Sequence, residues 1–142
     1  MYQQAFQVTW ADIDANQHMR NTAYLDYAAQ TRFMHLAEAG FTPEAFAKAR
    51  IGPAILEETI RYRRELKFLD RFTVQHLAAG TSADRSRNVI VNRVLNAAGE
   101  LCCEIRATFV WLDLAARKIT VPPDALRAAM ESLERTEDFA EL

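Results

Sequence analysis

A chain of 142 residues, half of them hydrophobic and a quarter charged, has the size and composition of one globular domain. At this length roughly 68–70% of the unfolded surface can be buried, so neither a disulfide nor a metal is needed as a staple. A net charge of −2 with mixed signs lacks the basic excess of a nucleic-acid binder, and the apolar runs are too short to span a membrane. Cys102 and Cys103 are adjacent, and neighbouring strand residues point to opposite faces. They are therefore expected to be reduced thiols, one of them facing the core. The N-terminus alternates polar and apolar residues without a basic start, so no signal peptide is expected and the cytoplasm is the expected location.

Tyr2, Phe6, Val8 and Trp10 share one parity and Gln3, Gln7 and Thr9 the other, the pattern of a half-buried strand. Asp12 to Arg20 is an ordered loop. Asn21 is a good N-cap for a long helix reaching about Ala39, with Leu25, Ala28, Ala29, Phe33 and Leu36 as its apolar stripe and Gly40 as its stop. Arg32 falls inside that stripe, where it must snorkel out or pair with a carboxylate. Thr42 and Pro43 open a short helix over Phe41 to Arg50. From Gly52 the period becomes two. Leu56, Ile60, Tyr62 and Leu66 alternate with Glu57, Thr59, Arg61 and Arg63 in a second strand, and Phe72–Ala79, Asn88–Leu95 and Leu101–Leu112 are the third, fourth and fifth. Val121-Pro122-Pro123-Asp124 opens a closing helix with Leu126, Met130 and Leu133 on one stripe. Residues 1–135 form one domain, and 136–142 are an acidic tail expected to fray. Four consecutive strands joined by short turns make a mostly antiparallel sheet, and the long helix must lie across one face of it. The other face and the sheet edge need cover, which a second copy of the chain would supply.

One loop concentrates the chemistry. Asp14, Asn16, His18 and Asn21 lie between the first strand and the long helix. A carboxylate beside a helix start can take a proton from water or attack a carbonyl, and the free N–H groups of that helix start can hold an oxyanion. The same Asp could instead brace the loop, and Asp12 competes for both roles. His18 could orient water, bond a substrate carbonyl or protonate a leaving group, or simply satisfy a loop carbonyl. Asn16 and Asn21 suit loop and cap positions equally well, and Tyr24, on the first helical turn, is a packing or binding residue. His18, His35 and His76 are scattered and no C-x-x-C or H-x-x-x-H pair exists, so no metal site is expected; no G-x-S-x-G, P-loop or G-x-G-x-x-G is present either. Arg61, Arg63, Arg64, Lys67 and Arg71 are either a solvated sheet face or a patch for a phosphorylated carrier such as coenzyme A or acyl carrier protein.

The run from Asp12 to Tyr24, followed by Ala28 and Arg32, resembles the signature of hotdog-fold thioesterases. It is similar both to the 4-hydroxybenzoyl-CoA thioesterase-like group and to plant acyl-ACP thioesterases. The resemblance implies an α+β hotdog fold, a five-stranded antiparallel sheet wrapped around a long central helix. It also implies a homodimer or dimer of dimers with sites at the subunit interface and an acyl tunnel beside the helix. By position, Asp14 matches the base or nucleophile of the benzoyl-CoA group, and Asn21 the residue whose N–H polarises the thioester carbonyl. Asp14, Asn16 and His18 match the Asp-x-Asn-x-His set of the plant enzymes, whose further carboxylate would be Glu57 or Glu58. Tyr24, Glu57, Arg61 and Arg63 are the substrate-binding candidates. Many benzoyl-CoA-type members have Gly where this chain has Gln17. The expected activity is hydrolysis of an acyl-CoA or acyl-carrier-protein thioester, with coenzyme A present only as part of the substrate and no other cofactor. The rivals are a hotdog dehydratase or hydratase on acyl thioesters and a non-catalytic acyl-CoA binding module.

Overall fold

The computed structural model describes residues 1–142. Strand β1 (Tyr2–Gln7) leads through a 3-10 turn (Trp10–Asp12) to helix α1 (Asn21–Glu38). Helix α2 (Pro43–Ala49) precedes β2 (Ile51–Tyr62), β3 (Arg71–Thr81), β4 (Arg87–Asn96) and β5 (Leu101–Asp113). The short β6 (Lys118–Ile119), α3 (Asp124–Glu131) and β7 (Arg135–Glu141) complete the chain. The main sheet runs β1-β3-β4-β5-β2 and is antiparallel at every step; β6 adds to β5, and β7 runs parallel to β3. The five expected strands are all present, wrapped on α1 as the resemblance implies. No helix is long and apolar enough to cross a membrane.

The core forms where α1 meets the sheet. Ala23, Tyr24 and Ala28 pack with Val74 of β3, Val94 of β4 and Ile105 of β5. The two alanines are fully buried, and their small side chains let the helix backbone come close to the strands. The buried face of α1 shares only Ala28 and Leu36 with the expected apolar stripe. It is Ala23, Tyr24, Ala28, Thr31, His35 and Leu36, whereas Leu25 and Ala29 are half-buried and Phe33 is exposed. Thr31 tolerates burial because its hydroxyl donates to the Tyr27 carbonyl at 2.8 Å. At the helix start, Arg20 takes the N-cap position without a side-chain cap and Asn21 is the first helical residue, so Asn21 does not cap. Gly40 ends the helix at φ 93°, and Thr42 caps α2 by accepting from the Ala45 N–H.

Three further expectations change. Trp10 leaves the strand and is 76% exposed, because β1 ends at Gln7 and the chain turns into the 3-10 segment. In β2 the pairing shifts between Ile55 and Glu57, a bulge that leaves Leu56 exposed. Beyond it Glu58, Ile60 and Tyr62 lie opposite the fully buried Ala107, Ile105 and Cys103, so Glu58, not Leu56, joins the inner parity. Both cysteines are buried, where one was expected to face outward; they are unbridged, and burial pushes the Cys103 thiol up to about 12.

The acidic tail does not fray. Residues 135–141 form β7, whose Glu137 and Asp138 pair with Arg93 of β4 at 3.0 Å and Arg106 of β5 at 2.6 Å. Those partners are remote in sequence, so the tail alone looked like solvated charge. The strand fits because Gly80 has no side chain: a Cβ there would meet the Ala140 carbonyl oxygen at 3.0 Å and Leu142 at 3.3 Å. Gly80→Val should therefore release β7 and cost about 1–3 kcal/mol, the usual range for overpacking. Amide exchange at Ala140 and Glu141 should accelerate with it; unchanged protection there would contradict this packing.

Candidate active site

The loop before α1 is held by Asp12. Its carboxylate accepts from the Thr9 N–H (3.2 Å) and hydroxyl (2.9 Å), from Arg20 (3.3 Å) and from the Tyr27 hydroxyl. Burial alone would raise its pKa, but the bonds from Tyr27, Thr9 and Arg20 outweigh burial and hold the carboxyl below the usual aspartate range. Tyr27 is pushed up to about 12, by burial first and then by Asp12. Arg20 also reaches the Ala11 carbonyl and Asp26. Asp12 is thus the bracing carboxylate, which leaves Asp14 for other work.

Asp14 opens a tight turn directly after the Ile13–Met19 bridge, its N–H bonded to the His18 carbonyl at 3.0 Å. Its Oδ1 accepts from the N–H of Asn16 (2.9 Å) and of His18 (3.4 Å), while Oδ2 has no partner within the chain. Gln17 turns the loop with φ 65°, the left-handed conformation that favours glycine, which accounts for the glycine usual there in the group this loop resembles. Asp14, Asn16, His18, Asn21, Tyr24 and Arg63 line one open cavity of 360 Å³. Six of the expected residues are therefore brought together. The Asn16 side-chain amide makes no bond inside the chain. His18 Nε2 faces Glu65 at 3.0 Å, so Glu65 joins the cavity as its partner. Tyr62 also lines it, stacked edge-on with Tyr24 and donating to the Asn21 carbonyl at 3.0 Å. Tyr24 is 3% exposed and belongs to the core as well as to this wall. The Asn21 N–H, at the first turn of α1, has no acceptor in the chain, as a helix start dictates. Glu57 and Arg61 do not line this cavity; both are exposed, on the parity of β2 opposite to Glu58 and Tyr62.

A second cavity, of 380 Å³, lies between α1 and the sheet. Leu25, Ala29, Phe33 and Leu36 line it, so most of the apolar stripe borders this cavity, while Ala28 and Leu36 are also buried in the core. Ile55 and Trp111 supply apolar wall from the sheet. A polar chain runs from this wall inward: Arg32 donates to Glu58 (3.0 Å) and to the side-chain Oδ1 of Asn92 (2.7 Å), and the Asn92 side-chain amide nitrogen reaches His76 Nδ1 (3.2 Å). Burial, then His35 and Arg32, drive the His76 pKa down to about 3, so the ring is neutral. His76 and Asn92 were missed in the sequence, although each interrupts the buried parity of its strand, beside Phe72 and Val74 in one and Ile90 and Val94 in the other. No group of three or more His, Cys, Asp or Glu side chains is gathered to hold a metal ion.

Comparison with known proteins fits this geometry. The model of the thioesterase-like superfamily matches residues 8–130. The chain belongs to that superfamily. Among solved structures, a Staphylococcus aureus protein in complex with CoA superposes with a TM-score of 0.86 at 19% identity, over 95% of this chain and 86% of its own. A 1,4-dihydroxy-2-naphthoyl-CoA thioesterase from Synechocystis gives 0.83 at 17% identity, over 93% and 96%. A DHNA-CoA thioesterase from Staphylococcus aureus gives 0.80 at 15%, over 91% and 87%. At these identities the likeness shows the hotdog fold, and the superfamily match adds thioesterase kinship.

In this superfamily member the two loop aspartates should separate cleanly. Asp12 has a lowered folded pKa, so its contribution is complete above the unfolded value of about 3.9 and is lost as pH falls through the folded one. Asp12→Asn should cost about 1–3 kcal/mol at neutral pH, with the difference from wild type shrinking below about pH 4. Asp14→Asn should stay within about 0.5 kcal/mol, since an amide oxygen can keep both Oδ1 bonds. Denaturant unfolding across pH measures both, and equal costs for the two variants would contradict the assignment.

Proposed function

We propose that the protein hydrolyses acyl-CoA thioesters at the loop before α1. The observation behind this reading is that the Asp14 carboxylate and the free Asn21 N–H border one open cavity. In this reading the thioester carbonyl oxygen accepts from the Asn21 N–H, and one such donor is typically worth about 2.7–4 kcal/mol in the transition state. Asp14 Oδ2 either takes a proton from the attacking water or attacks the carbonyl carbon itself. Asn16 positions water or the base, and His18, oriented by Glu65, holds the substrate. The C–S bond then breaks and coenzyme A leaves as thiolate; where Asp14 is the nucleophile, water hydrolyses the mixed anhydride left on it and releases the acid. A free thiol has a pKa near ~8.5, so departure needs no strong acid.

Arg63, on the cavity wall and free of any ion pair, is the residue assigned to a phosphate of the carrier. The Staphylococcus aureus neighbour solved with CoA supports a CoA thioester over other carriers. A homodimer, alone or doubled, completes the proposal. The outer edge of β2 has no neighbouring strand, and it carries the exposed Ile55 and Leu56.

Asp14→Asn should lower kcat at least about 10²-fold, the low end for loss of a general base. Thiol release from a panel of short, long and aromatic acyl-CoAs measures this, and near-normal turnover would remove Asp14 from the mechanism. Arg63→Ala should raise KM with little change in kcat, and the rise should shrink as salt is added; a KM indifferent to the substitution would detach Arg63 from the carrier.

A further inference from the structure

The start of α1 is the part of the candidate site that the helix itself holds least well. Arg20 stands at the N-cap without a side-chain bond, and the first turn carries no acidic residue. Helix ends without such caps fray, yet a donor that stabilises an oxyanion has to be in place before charge develops.

One side chain from the sheet reaches this turn. The Tyr62 hydroxyl donates to the Asn21 carbonyl at 3.0 Å, across 41 positions of the chain. The Asn21 N–H that borders the cavity belongs to the same residue. Burial does not demand the bond: Tyr62 is 49% exposed, so its hydroxyl could bond water instead. Nor does the carbonyl require it, since a helical carbonyl at this position accepts from the N–H four residues on, that of Leu25. What the bond adds is a tie between two elements.

The phenol is rigidly mounted. In β2, Tyr62 lies opposite the fully buried Cys103, and Ile60 lies opposite the fully buried Ile105. The Tyr62 ring meets that of the buried Tyr24 edge-on, with centroids 5.5 Å apart and planes at 76°. Sheet, phenol and Asn21 carbonyl thus form one continuous support, which ends on the residue that presents the free N–H. A shift of about 1 Å in such a group can lower a rate about 10²-fold.

We propose that Tyr62 is a positioning residue: by tying the start of α1 to β2, it holds the Asn21 N–H where the thioester carbonyl is received. The proposal rests on the thioesterase reading above for the identity of that carbonyl.

Tyr62→Phe tests it, because the ring stays on the cavity wall and only the tie is removed. Without ligand, amide exchange at Leu25 should quicken about two- to tenfold, as loss of one hydrogen bond predicts, while Leu36 keeps its wild-type rate. The bound probe is the 2-oxodecyl thioether of CoA, isotope-labelled at a carbonyl that cannot be hydrolysed. Its infrared carbonyl band should be narrow and displaced in wild type, and broader and nearer the free-ligand position in the variant. With acyl-CoA substrates, kcat should fall about tenfold while KM stays within about twofold. Unchanged Leu25 exchange, or a carbonyl band unmoved by the substitution, would overturn the proposal. A rise in KM alone would also overturn it, by making Tyr62 a wall that only touches substrate. A narrow, displaced band in a wild-type protein that hydrolyses no thioester would overturn the hydrolase reading alone. Hydrolysis with kcat unchanged by Tyr62→Phe would overturn this proposal alone.

Discussion

Everything in the candidate site depends on how the Asp12 carboxylate is used. One side chain gathers Thr9, Arg20 and Tyr27, and so fixes the end of the first strand, the entry to α1 and the second turn of that helix in a single knot. With the loop ends pinned, the short span between them can turn through a left-handed residue at Gln17 and still hold Asp14 at a defined place. Asp12 uses both carboxylate oxygens in that knot, whereas Asp14 commits only Oδ1 to the loop and keeps Oδ2 free.

Helix α1 does two jobs with two faces. One face is small and semi-polar, with Ala23, Ala28 and Thr31 lying close to the sheet. The other carries Leu25, Ala29 and Phe33 and turns them toward a cavity, with Leu36 shared between cavity and core. A helix that buried its greasiest stripe in the core would leave no room for a ligand beside the sheet. The polar chain from Glu58 through Arg32 and Asn92 to His76 then lies along the far part of that cavity. The bulge in β2 matters here, because without it Glu58 would point to the outer face of the sheet.

Much of this was legible in the residues. Period-two runs located every main strand, and Gly40 and Thr42-Pro43 located helix boundaries, because those signals are local. The cluster of Asp14, Asn16, His18 and Asn21 was legible for the same reason: it is contiguous. What failed was non-local. The apolar stripe of α1 was located, but sequence does not say whether a stripe meets core or cavity. The partners of Glu137 and Asp138 lie on β4 and β5, so the tail looked unattached. Glu57 and Arg61 keep the polar parity read from the sequence, and that parity faces away from the site once β2 pairs with β5. Arg32 stood out as a charge within an apolar stripe, yet only the fold brings it to Glu58.

In the proposed reading, one face of α1 links the Asp14 loop to the inner cavity, and a thioester lies with its carbonyl at the helix start and its acyl group along Leu25 and Ala29. A crystal structure with a non-hydrolysable CoA thioether bound tests this most directly. The carbonyl oxygen should lie about 2.7–3.1 Å from the Asn21 nitrogen, with Asp14 facing the carbonyl carbon and the tail inside the cavity between α1 and the sheet. A carbonyl held away from the start of α1, or a tail lying in the groove beside α2 against Phe41 and Phe46, would contradict it.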